Sequence, residues 1–90
     1  MHRQLEQAGV LYLVATPIGN LEDITLRALR VMREADLVLA EDTRRARGLL
    51  THHQIDSGLA SLHAHTSDAR VEQLADQLAE GKRFALVTDA

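Results

Sequence analysis

The chain has 90 residues, a formal net charge of −3, no cysteine, and a single tyrosine and phenylalanine as its only aromatic rings. A chain of this length buries only about 60–65% of the surface its unfolded form exposes, so one modest core is the limit. Disulfides and thiolate metal sites are excluded, the charge gives no global warrant for nucleic-acid binding, and Tyr12 and Phe84 are too few for aromatic stacking platforms. No run approaches the roughly 20 apolar residues of a membrane helix. The first ten residues, with Glu6 and no apolar segment, do not read as a signal peptide, which makes a cytoplasmic location the default expectation.

Met1 to Gly9 is polar and reads as a flexible lead-in, with residues 10–90 forming the folded part. Leu11 to Thr16 has the continuous hydrophobicity of a strand buried on both faces. Pro17 stops that strand by removing a donor, and Gly19 permits a close backbone approach. Asn20 with Asp23 three residues on is a capping-box variant, so a first helix is expected over Leu21 to Ala35. Its apolar arc is Leu21, Ile24, Ala28, Val31 and Met32. Leu26 falls among charged residues, either as a lone exposed leucine or as a subunit contact.

A second strand, Leu37 to Ala40, runs into Glu41-Asp42-Thr43-Arg44-Arg45. Asp42 or Thr43 can cap a second helix reaching about His53, with Leu49 and Leu50 inward and Gly48 costing about 1 kcal/mol. Asp56-Ser57-Gly58 is turn material, and a third strand is expected over Leu59 to His63. Thr66, Ser67 or Asp68 begins a third helix with a stripe of Val71, Leu74, Ala75 and Leu78, and Gly81 stops it. A fourth strand, Arg83 to Thr88, leads into Asp89-Ala90. Strands and helices alternate over short linkers, which predicts an α/β fold: an open parallel sheet with flanking helices in the order βαβαβαβ.

In such a sheet the polar strand ends share one rim: Thr16-Pro17, Glu41-Asp42, His63 to His65, and Thr88-Asp89. The turn from Thr16 to Leu21 either presents backbone donors to an anion or is simply a tight connection. It matches neither GxGxxG nor GxxxxGK[ST]. At Glu41 to Arg45 two readings stand. An aspartate caps a helix and arginines pair with nearby acids, or one carboxylate orients or deprotonates a hydroxyl while Arg44, Arg45 and Arg47 grip phosphate. His52, His53, His63 and His65 lack the spacing and companion ligands of a metal site.

Leu11 to Leu29, with Pro17-Ile18-Gly19-Asn20 at its turn, resembles the opening of the 16S rRNA cytidine 2′-O-methyltransferases of the tetrapyrrole methylase superfamily. Glu41-Asp42-Thr43-Arg44 is similar to that family's second signature. Leu86 to Ala90 resembles the start of the third, usually Ser-Asp-Ala-Gly-Thr-Pro, with Thr88 in place of the serine. The resemblance implies methyl transfer from S-adenosylmethionine to a cytidine ribose in the decoding region of 16S rRNA, in the small ribosomal subunit. It implies a longer, homodimeric polypeptide whose second α/β domain completes the cofactor cleft, so that residues 10–90 are most of the N-terminal domain. It assigns Glu41 and Asp42 to proton acceptance or hydroxyl orientation, and Thr16, Pro17, Asn20, Arg44 and Arg45 to the substrate. Pro17, Gly19, Asp89 and Ala90 fall to the cofactor, and no metal is implied. Two alternatives stay open: a methylase of the same superfamily acting on a tetrapyrrole or other small molecule, and a non-catalytic α/β interaction module should the natural chain end at Ala90.

Overall fold

The computed structural model describes residues 9–16 and 21–89. Along them alternate β1 (Val10–Thr16), α1 (Leu26–Glu34), β2 (Leu37–Ala40), α2 (Thr43–His52), β3 (Gly58–Ser61), α3 (Asp68–Ala79) and β4 (Arg83–Asp89). The strands form one parallel sheet in the order β1-β4-β2-β3, as the alternation predicts. β4 pairs from Val10 with Arg83 to Thr16 with Asp89 on one side. On its other side it pairs from Leu37 with Phe84 to Ala40 with Val87.

Side chains alternate across the sheet. Val14, Val38, Ala40, Ala85 and Val87 meet Ala28, Leu29, Val31 and Met32 of α1 and Ala46, Leu49 and Leu50 of α2. Leu39 and Phe84 meet Leu74 of α3 on the opposite face. The chain steps from β1 to β2 to β3 in one direction, then returns to β4. Reversing direction while keeping right-handed crossovers sends the last helix to the other face.

That arrangement corrects the expectation for β1. Val14 is buried, but Leu11 and Leu13 are 46% and 69% exposed. β1 is an edge strand, and α3 packs over Leu39 and Phe84 without covering it. The stripe on α3 is narrower than its periodicity suggests for the same reason. Leu74 is buried and Leu78 partly so, whereas Val71 and Ala75 are exposed. Leu26 is 84% exposed.

Helix ends follow local hydrogen bonding. α1 starts five residues later than expected, because the Thr25 hydroxyl accepts from the Ala28 amide at 3.0 Å and caps it there; Leu21 and Glu22 form a turn instead. Asp42 caps α2 and Ser67 caps α3, each side chain accepting a backbone amide of the first turn. β3 stops at Ser61, short of His63, because the Thr66 hydroxyl accepts from the His63 amide at 2.9 Å and turns the chain. Gly9, expected in the lead-in, donates to the Leu78 carbonyl at 2.7 Å, and a Cβ there would collide with the Leu78 and Lys82 carbonyls.

α2 and α3 end alike. Ile55 donates to the Leu50 carbonyl and Gln54 to that of Thr51, while Lys82 donates to Gln77 and Gly81 to Leu78. These are Schellman closures, which need a left-handed residue after the cap. Gly81 supplies it at φ 104°, but α2 uses Gln54 at φ 57°. The left-handed conformation costs a non-glycine residue about 1–2 kcal/mol, partly offset by the greater freedom glycine has when unfolded. Gln54→Gly is therefore expected to stabilise the fold by up to about 1 kcal/mol, read as a higher urea midpoint at unchanged slope; a lower midpoint would contradict this account of the α2 terminus.

Candidate functional site

Parallel pairing brings the carboxyl ends of all four strands to one rim. A cleft of about 830 Å³ opens there, within the roughly 300–1,000 Å³ of small-molecule sites. Ala40, Leu62, Leu86 and Val87 supply apolar surface from the strand ends, and Leu21 and Leu49 add to it. The polar lining is Thr16, Glu41, Asp42, Arg44, Arg45 and Thr88. The cleft forms where α2 and α3 leave toward opposite faces, so neither helix closes the rim.

Thr16 is 8% exposed, and its hydroxyl donates to the Thr88 carbonyl at 3.0 Å. With its proton committed across β1 and β4, it can only accept a further hydrogen bond. Asp42 is occupied as well. Its carboxylate accepts from the Arg44 amide at 3.0 Å, and the Arg44 guanidinium lies 3.9 Å away with its side chain 95% exposed. Such an exposed pair is screened and weak, so that guanidinium is available to a ligand. Glu41 is exposed on the cleft with no hydrogen-bond or ionic partner among the described residues.

Pro17, Gly19, Asn20 and Ala90 lie outside the described residues. The residues on either side of positions 17–20, Thr16 and Leu21, both line the cleft. Asp89 ends β4 opposite Thr16, at the rim as expected. Arg47 does not join Arg44 and Arg45. It borders a separate shallow pocket with Asp56 and Ser57, because two residues beyond Arg45 is roughly 200° around the helix. Gly48 is a wall residue that the sequence shows only as a weak point in a helix. It lines the cleft, and a Cβ there would meet nothing within 4 Å. Among the described residues no cluster of three or more His, Cys, Asp or Glu could hold a metal ion, and no helix is long and apolar enough to cross a membrane.

The family model of the tetrapyrrole (corrin/porphyrin) methylases matches residues 10–89. The chain belongs to that family. Among its relatives are proteins named ribosomal RNA small subunit methyltransferase I. The one from Halalkalibacterium halodurans is 51% identical over 89 residues, covering 99% of this chain and 31% of the relative. The Thermotoga maritima protein is 51% identical over 82 residues, 91% of this chain and 37% of the relative. The Escherichia coli O157:H7 protein is 51% identical over 82 residues, 91% and 29% respectively. The chain thus spans about a third of the length of these relatives.

The rim of this tetrapyrrole methylase domain depends on the Thr16 tie. Thr16→Val keeps the side-chain shape but removes the hydroxyl's bond to the Thr88 carbonyl, at a cost of about 1 kcal/mol. Thr16→Ser keeps the donor. A lower urea midpoint for the valine variant than for the serine variant is the expected result; equal midpoints would show that the tie contributes nothing.

Proposed function

We propose that this chain is the N-terminal domain of an S-adenosylmethionine-dependent methyltransferase that modifies the ribose 2′-hydroxyl of a cytidine in 16S rRNA. The observation that carries the reading is the cleft itself, where exposed carboxylates and two arginines meet at the carboxyl rim of a parallel sheet. The names of the relatives support an RNA of the small ribosomal subunit. Arg44 and Arg45 suit phosphate oxygens, which a planar guanidinium contacts through two donors at once. An RNA substrate in the ribosome implies action in the cytoplasm. The exposed Leu26 and Leu13 support burial of this domain against further chain or a second copy of the complete polypeptide.

The lining fits the cofactor. Leu21, Leu62 and Leu86 offer apolar surface to a purine, and Asp42 offers negative charge to the cationic part. Pro17, Gly19, Asp89 and Ala90 would complete its contacts. When bound, it supplies a methyl group made electrophilic by the sulfonium. The task left to the chain is to align the ribose hydroxyl, exclude water and accept a proton.

Glu41 takes the proton or orients the hydroxyl, because its carboxylate has no partner among the described residues. Asp42 serves mainly through the start of α2, since its oxygen already holds the Arg44 amide. Arg44 and Arg45 hold the RNA backbone so that the hydroxyl is presented in line.

In the complete polypeptide, Glu41→Gln is expected to lower methyl transfer to the small subunit by about 100-fold while S-adenosylmethionine affinity holds. Arg44→Ala is expected to raise KM for the RNA with little change in kcat. Transfer by Glu41→Gln at the parent rate would remove Glu41 from the chemistry. Transfer by the parent enzyme to a tetrapyrrole and not to RNA would overturn the substrate assignment.

A further inference from the structure

One cleft wall is held from an unexpected direction. Leu21 lines the cleft, and its carbonyl lies 2.7 Å from Nε2 of His53. A carbonyl oxygen has no proton, so Nε2 must carry one, and His53 is the donor. The histidine is itself fixed. It is the cap residue at the end of α2, its amide donates to Leu49, and its carbonyl accepts from Arg33 of α1 at 2.9 Å. The His52 ring stands edge-on to it, with centroids 4.8 Å apart.

We propose that His53 is a positioning residue for this cleft, its Nε2–H holding Leu21 at the cleft wall. The inference rests on the reading of the cleft as the methyl-transfer site. α2 then serves the site from both ends. Its first turn carries Asp42, Arg44 and Arg45, and its cap residue ties back the opposite wall. Without the bond, Leu21 loses its tie to the cap of α2 and samples positions that do not fit a ligand. Each bound complex must then re-form the wall, which weakens ligand binding without altering the reacting groups.

The test uses the complete polypeptide with His53→Ala and His53→Gln, the terminal amide of glutamine supplying a donor at similar reach. His53→Ala is expected to raise KM for S-adenosylmethionine or for the small subunit about fivefold, the worth of one ordinary hydrogen bond, with kcat nearly unchanged. His53→Gln is expected to restore the parent KM. In the parent protein, the imidazole ¹⁵N spectrum is expected to show the His53 proton on Nε2. Unchanged KM values in His53→Ala, a fall in kcat alone, a rise that glutamine does not reverse, or a ring proton on Nδ1 only would each overturn the proposal. Should the parent protein transfer no methyl group to the small subunit, the cleft reading fails and the positioning role with it; the ¹⁵N spectrum still reports whether the bond exists.

Discussion

Insertion of β4 between β1 and β2 is the contact on which the rest of the molecule depends. Phe84 and Ala85 of β4 are 1% and 0% exposed, and full burial of one phenylalanine contributes about 1.5–3 kcal/mol. At the amino end, Asp36 and Arg83 grip each other. The Asp36 amide donates to the Arg83 carbonyl at 2.7 Å, and its carboxylate accepts from the Arg83 amide at 2.8 Å. Together with the β1–β4 ladder, this pairing fixes the register on both sides. It sets Thr16 opposite Asp89 and Ala40 opposite Val87, so the chain beyond Ala40, Glu41 first, leaves from the same rim.

The two adjacent carboxylates at that rim have different tasks. A helix that starts at a strand end exposes amide donors needing an acceptor, and Asp42 meets that need for α2. Its neighbour, one position earlier, has no such duty and faces the cleft. The same start of α2 projects Arg44 and Arg45 toward that cleft, while helical rotation turns Arg47 away. A single strand-to-helix junction thus provides a structural acid, a second acid with no partner among the described residues, and two cations within five residues.

Much of this was legible in the sequence. The alternation of apolar runs and amphipathic stretches specified a parallel sheet, and parallel strands require a common carboxyl rim. Asp42 and Gly81 announced a helix start and a helix stop. What the sequence could not reveal depended on tertiary contacts. Leu11 and Leu13 have the pattern of a strand buried on both faces, and only the strand order leaves one face of β1 uncovered. Thr25 outcompeted the Asn20–Asp23 spacing as the α1 cap because its hydroxyl meets the Ala28 amide directly. The part played by His53 was hidden, since a bond spanning 32 positions to a backbone carbonyl leaves no signature in residue type.

We propose that the carboxyl rim is where ligands are held. The most direct measurement is a crystal structure of the complete polypeptide with S-adenosylhomocysteine, the product left after methyl transfer. The account predicts the ligand in the cleft bordered by Thr16, Leu21, Glu41 and Thr88, with its sulfur facing the end of β2. A ligand bound at the amino ends of the strands, or against the outer face of α1, would contradict it.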